Sequence, residues 1–433
     1  MLFRDVYYLG EDFELRRGDI AVRGGVIEYA GERAPAGDWG ETISHAERLV
    51  LPGFVNAHCH VPMTLLRGYG EGLPLDRWLA ERVFPFEDRM TAEDVYWGSL
   101  VGIAEMLASG VTSFSDMYGF CGAICEAVKV SGIKANISRG LTSADGGALG
   151  ESRGFYETEE LFAEWDGACG GRIIAEASIH AEYTSHEGFV RELAAFAKAR
   201  GAGIHIHLSE TRKEHEECLA RRGTTPTEYF EACGIFESRV TAAHCVHISD
   251  GDMNILARRG VCAAHCPTSN LKLGSGVAPV PRMLVSGVAV ALGTDGASSN
   301  NNLNMAEEAH IASILHRGVN MDAALTPTAE ILKMASLSGA RAQGRSDTGA
   351  VKPGFKADLA VLKLDGRPHL GPLHDILGGA VFSAQAGDIE MTVADGEILY
   401  RNGEFLTFDI REALGGASAA AARIARELRG AQT

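Results

Sequence analysis

His58 and His60 are separated by one residue at the end of an apolar run, Val50 to His60, that reads as a strand. In a strand, residues i and i+2 project from the same face, so both imidazoles can point the same way. Two such histidines are half of a metal site. The pattern recurs: His207 ends Gly-Ile-His-Ile-His, His244 ends Val-Thr-Ala-Ala-His, and Asp295 ends Val-Ala-Val-Ala-Leu-Gly-Thr-Asp. A carboxylate closing an apolar strand needs a partner, and a cation supplies one. Three imidazoles and one carboxylate suit Zn2+, and also accept Fe2+, Mn2+ or another divalent ion. The chemistry this implies is hydrolysis, because a bound cation lowers the pKa of water until hydroxide exists near neutral pH.

Glu210 follows His207 by three residues. At the mouth of that strand a carboxyl group can take a proton from water and hand it to a substrate nitrogen. His244 is open to two roles, ligand to a second metal or partner of the attacking oxygen. The second is preferred as orientation and electrostatic stabilisation.

The elements that must position these groups alternate. From about Leu51 onward, eight apolar runs precede helix-like segments: Val50–His60, Gly110–Tyr118, Ile133–Gly140, Arg172–Tyr183, Gly203–Glu210, Val240–Ile248, Gly260–Cys266 and Val288–Asp295. The helical stretches, such as 92–110, 186–201 and 248–260, end near glycines, as helix C-termini do. Eight alternations predict an α/β chain closing into a (β/α)8 barrel, with the site at the C-terminal ends of the strands. An open doubly wound sheet would show the same alternation. A barrel takes roughly 250 residues, and the chain has 433. Residues 1–50 and 351–410 both read as short strands with Gly-Gly, Asp-Gly and Asn-Gly turns. They are predicted to form one small β-sandwich from the two chain ends, flanking a barrel over 51–350, with an Ala-rich helix over 411–433.

Lys and Arg total 40 against 57 Asp and Glu, a net charge of −17. That balance argues against nucleic acid as a partner and leaves small neutral or zwitterionic substrates open. Nine cysteines, several in apolar runs, read as free thiols in a reducing compartment. The charged, alternating N-terminus is no signal peptide, and no apolar run reaches about 18 residues, so a cytoplasmic protein without a membrane partner is expected. The sequence is compatible with assembly into a homo-oligomer.

The runs LPGFVNAHCHVPMTLLRG, HIHLSET, AAHC, HCPTSNLKLGSGVAPVP and LGTDGASSNN together resemble the amidohydrolase superfamily. More narrowly, they are similar to its methylthioadenosine/S-adenosylhomocysteine deaminase group. The resemblance covers nearly the whole chain, including the split β module. It implies His58, His60, His207 and Asp295 as ligands of one metal, since the fourth strand lacks the bridging Lys of two-metal relatives. It implies Glu210 as the acid that protonates the purine ring and Asp295 as proton acceptor from water as well as ligand. Both would touch substrate.

The resemblance also supplies a substrate frame. Glu87, in Phe-Pro-Phe-Glu between the first two strands, would accept hydrogen bonds from both ribose hydroxyls, for which a carboxylate has two acceptor oxygens. Trp78 and Phe84 either line the purine pocket or pack a lid helix. Arg139 would reach a homocysteine carboxylate, to which a guanidinium is matched bidentately. Arg153 is the candidate second arginine, and His180 would contact the nucleoside. His265 is expected to stand behind the ligands, whereas His186, His215, His247, His310 and His316 read as structural or solvated. The implied reaction is hydrolytic deamination of methylthioadenosine, S-adenosylhomocysteine, adenosine or 5′-deoxyadenosine. The alternatives are a same-fold deaminase or chlorohydrolase of guanine, a pterin, an oxidised purine or a triazine, and a non-catalytic scaffold on the same barrel.

Overall fold

The structure, a computed structural model, describes residues 1–44, 47–143 and 146–430. Eight parallel strands follow one another in chain order: Phe54–Cys59, Val111–Tyr118, Lys134–Arg139, Ile173–Ile179, Ile204–Leu208, Val240–His244, Cys262–His265 and Ala289–Leu292. Each lies inside the run that the sequence marks for it. Nearly every residue in them is buried, as expected of parallel strands covered on both faces.

The alternative of an open sheet fails at the seam. The Asp295 amide donates to the His58 carbonyl at 3.0 Å, and Asn56 exchanges hydrogen bonds with Thr294 at 2.7 and 3.0 Å. The last strand is thereby tied to the first and the barrel closes. Gly293 makes this approach possible: a Cβ there would stand 2.9 Å from both His58 N and His58 O.

Local chemistry starts and stops the helices around the barrel. Thr91 and Asp94 form a capping box at the head of Ala92–Ala108, and Ser249 and Asp252 do the same for Asp250–Arg259. Gly260, at φ 67°, closes that second helix in the left-handed region.

The two chain ends meet in one mixed sheet of nine strands. Its centre is Arg48–Pro52, antiparallel to Leu359–Lys363 on one side and parallel to Leu2–Leu9 on the other. Asp395-Gly396 and Asn402-Gly403 have positive φ at both positions, the geometry of the tight turns their sequence predicts. Phe3, Val6, Ile20, Val50, Leu359 and Val393 give this sheet its own core. Buried Lys134, at the start of the third barrel strand, pairs with Asp358 at 2.6 Å and Asp395 at 2.8 Å, fixing sheet to barrel floor.

The last helix, Ile410–Gly430, packs on Ala92–Ala108, and Arg423 reaches Asp94 and the carbonyl of Arg89. It thus braces the base of the segment that carries Glu87. All nine cysteines are free, and every one except Cys169 is buried. Among the described residues no helix is long and apolar enough to cross a membrane.

Candidate metal centre and substrate cavity

The C-terminal mouth of the barrel brings four histidines and one aspartate together. Ligand-type atoms of His58, His207 and His244 lie within 4.8 Å of one another, and so do those of His58, His60 and Asp295. His60 Nε2 and His58 Nε2 stand 3.2 and 3.4 Å from Asp295 Oδ1, and His207 Nε2 stands 3.4 Å from His60 Nε2.

The other nitrogen of each imidazole is spoken for. His60 Nδ1–H donates to the Met117 carbonyl at 2.6 Å, and His207 Nδ1–H to the His180 carbonyl at 2.7 Å. His58 Nδ1 shares a hydrogen with His205 Nε2 at 2.9 Å. All three rings are therefore held with Nε2 toward the centre, the outer support that metal-binding histidines require. His58 Nε2 is buried and makes no hydrogen bond.

Asp295 is oriented in the same way. Its Oδ2 accepts from the hydroxyls of Ser269 at 2.6 Å and Ser299 at 2.8 Å, which leaves Oδ1 facing the imidazoles. Burial holds the His58 and His207 imidazoles well below their usual range, in the neutral form that ligates. Burial also lowers His60, but the Asp295 carboxylate outweighs it and raises the ring to about 9. That proton is what a cation would displace on binding. The donor set of converging imidazole nitrogens and one carboxylate oxygen fits a divalent metal of the zinc type.

The chain reaches this geometry by accepting unusual backbone. Ser209, His244, Cys245 and Asp295 have φ of 46°, 73°, 47° and 60°, each within three residues of a strand end. Non-glycine residues in that region are uncommon and concentrate where function demands a side-chain direction.

His244 is set by Asn270, whose Oδ1 accepts from Nδ1–H at 2.9 Å. Its Nε2 faces Glu210 Oε2 at 3.8 Å. Glu210 Oε1 accepts from Ser275 Oγ at 3.2 Å, and Glu214 fixes the turn by accepting from the Ser209 and Glu210 amides. Burial raises the Glu210 carboxyl above its ordinary range, only partly offset by His244. Burial, reinforced by Glu210, pushes Glu214 to about 7.

A cavity of about 370 Å3 opens beside these groups, within the size range of small-molecule sites. His60, His207, Glu210, His244 and Asp295 line it. Trp78, Phe84, Glu87, Arg139 and His180 also line it. Trp78 and Glu87 belong to a helical stretch, residues 75–87, broken by a π turn at Leu79–Val83, a device common at functional sites. Glu87 Oε1 accepts from the Tyr118 hydroxyl at 2.5 Å, and burial raises its pKa. His180 is lowered to about 4 by burial, so its ring is neutral. Arg153 lies elsewhere: it is exposed at the head of the helix Arg153–Glu164 and is not among the residues lining the cavity.

His265 meets His316, with 3.2 Å between their Nε2 atoms, rather than a ligand of the cage. Sequence reasoning did not single out His205, Ser269, Asn270, Ser299 or Tyr118. His205 had a signal, since it shares a strand face with His207 one pleat closer to the barrel floor. Tyr118 had none, because its partner Glu87 comes from a helix; Ser269, Asn270 and Ser299 lie in runs that read as motifs, but what each holds was not legible there.

A barrel with imidazoles and one carboxylate converging at its C-terminal mouth defines a class, the metal-dependent hydrolases. Residues 49–399 match the model of the amidohydrolase family, and the chain belongs to that family. It is 42% identical over 418 residues to a 5-methylthioadenosine/S-adenosylhomocysteine deaminase of Pelotomaculum thermopropionicum, covering 96% of each chain. A deaminase of the same name from Acetivibrio thermocellus is 46% identical over 364 residues, covering 84% of this chain and 83% of that one. The crystal structure of an adenosine deaminase from Xanthomonas campestris with bound zinc superposes with a TM-score of 0.90 at 30% identity, covering 98% of both chains.

Proposed function

We propose that this protein is a mononuclear zinc aminohydrolase that deaminates an adenine nucleoside of the methylthioadenosine type. The observation that carries the reading is a single cavity lined both by Glu210 and the imidazole–Asp295 cage and by Glu87, a carboxylate with acceptor oxygens for a diol. His58, His60, His207 and Asp295 would hold the metal, which when bound would lower the pKa of water so that hydroxide is available near neutral pH.

The chain's own residues do the rest. Glu87 binds the ribose hydroxyls and so fixes the purine with C6 toward the cage. Glu210, whose pKa burial raises above its ordinary range, donates a proton to the ring nitrogen beside C6. The ring accepts electron density as oxygen adds to C6. His244, held by Asn270, stabilises the charge on that oxygen. Asp295 takes a proton from the attacking water through Oδ1 and passes it to the amino group. As the C6–N bond breaks, ammonia leaves, the second proton of the water returns to Glu210, and an inosine-type product with a C6 carbonyl remains. Water is consumed and no redox change occurs.

The reducing cytoplasm suits a chain with nine free thiols, and we place the protein there. The test is an ammonia-release screen of the zinc-loaded protein. Adenosine, methylthioadenosine and S-adenosylhomocysteine are set against guanine, a pterin and a triazine. Activity is expected on the adenine nucleosides; activity confined to the second group would overturn the reading.

A further inference from the structure

Tyr118 ends the second barrel strand and lines the cavity, yet it takes no part in the proton transfers. Its hydroxyl donates to Glu87 Oε1 at 2.5 Å, the short bond of a donor to a charged acceptor. Burial, and then the Glu87 charge, pushes the phenol well above its ordinary range, so the hydrogen stays on Tyr118 and the bond runs one way. Its other acceptor, Met90 Sδ at 3.6 Å, is a weak one. Among the described residues the phenol makes the one hydrogen bond to the Glu87 side chain.

Both partners are held from behind. The Tyr118 backbone pairs with Arg139 on the third strand, and the carbonyl before it, on Met117, accepts from His60 Nδ1–H at 2.6 Å. The Glu87 carbonyl accepts from the Met90 amide at 2.9 Å, and the Arg89 carbonyl is tied to the last helix by Arg423. One strand end therefore fixes a cage ligand through its backbone and Glu87 through its side chain. The carboxylate cannot turn without breaking the phenol bond, and the oxygen left without a partner is Oε2.

We infer that Tyr118 is a positioning residue that makes the two hydroxyls of the sugar unequal: by occupying Oε1 it gives one of them the free, charged Oε2 and leaves the other the spare lone pair of an oxygen already engaged. The inference rests on the nucleoside reading above, with Glu87 at the ribose. A hydrogen bond to a charged acceptor is stronger than one to a neutral acceptor by about tenfold in binding, and that sets the difference between the two hydroxyls.

The experiment measures kcat/KM for methylthioadenosine and its 2′-deoxy and 3′-deoxy analogues on the zinc-loaded full-length enzyme and its Tyr118→Phe and Glu87→Gln variants. In the wild type one analogue is expected to fall about tenfold further below the parent than the other. Phe keeps the ring and removes the donor, so both carboxylate oxygens open to the sugar and the gap is expected to close to about twofold. In Glu87→Gln the amide oxygen stays with Tyr118, the favoured hydroxyl loses its charged acceptor, and the gap is expected to close there too. A general loosening of the site lowers all three substrates together and leaves the gap in place, so it does not imitate this result. Equal falls for the two analogues in the wild type overturn the inference, and so does a gap that survives Tyr118→Phe. Should Tyr118→Phe not fold, a gap that survives Glu87→Gln overturns it in the same way. Analogues turned over as fast as the parent overturn the placing of Glu87 at the ribose. An enzyme that deaminates none of the three overturns the nucleoside reading itself.

Discussion

Replacing Glu87 by Gln removes one charge and one acceptor oxygen while keeping the side chain's shape. In the folded protein Oε1 is occupied by the Tyr118 hydroxyl, so a ribose diol must share Oε2 and the spare lone pair of Oε1. A hydrogen bond to a charged group contributes about 1.5–3 kcal/mol. Gln keeps one acceptor, so the loss amounts to roughly one charged bond and a weakened second, about 2–3 kcal/mol. That is about a 30- to 150-fold fall in kcat/KM for a riboside. Free adenine carries no diol and should lose far less. The assay is ammonia release from methylthioadenosine and from adenine under the same conditions, with zinc content measured in parallel. An equal fall for both, or none for the riboside, would refute the assignment of Glu87 to the sugar.

Glu210→Gln should lower kcat by about 100- to 10,000-fold with zinc content unchanged, because the group moves a proton and holds no metal. Asn270→Ala frees His244 Nδ1 and should cost about 10- to 100-fold in activity with normal thermal stability below the active temperature range. Glu308 tests the electrostatics away from the cage. It is fully buried, accepts from Asn300 and Thr268, and burial pushes its pKa from 4.5 to about 8. The folded state keeps a proton there that the unfolded chain has released, so stability present below pH 4.5 is lost as pH rises toward 8. The melting temperature should therefore fall across that window, and Glu308→Gln should flatten the fall; a parallel decline in both proteins would contradict it.

The strands were legible because each is a short apolar run that closes on a polar residue with no local partner. His60, His207, His244 and Asp295 ended runs in which nothing nearby could satisfy them. The barrel itself was legible only as an alternation; its closure depends on the Asn56–Thr294 and His58–Asp295 contacts, between residues more than two hundred positions apart. The same distance hid the supporting groups. Ser269 and Asn270 read as part of a motif, yet what they hold, Asp295 and His244, follows from how neighbouring strand ends pack. The partner of Arg139 was not legible because Glu157 lies on the next helix, and helix-to-strand approach is not written in local spacing. Arg153 shows the converse: a residue of the right type that stands exposed at a helix start, outside the cavity.

The central claim, one metal held by His58, His60, His207 and Asp295, is tested most directly by anomalous X-ray scattering at the zinc edge from crystals of the zinc-loaded protein. A single strong peak is predicted within bonding distance, about 2.0–2.2 Å, of those three Nε2 atoms and Asp295 Oδ1. Two peaks in the cavity, or one peak bound elsewhere, would contradict it.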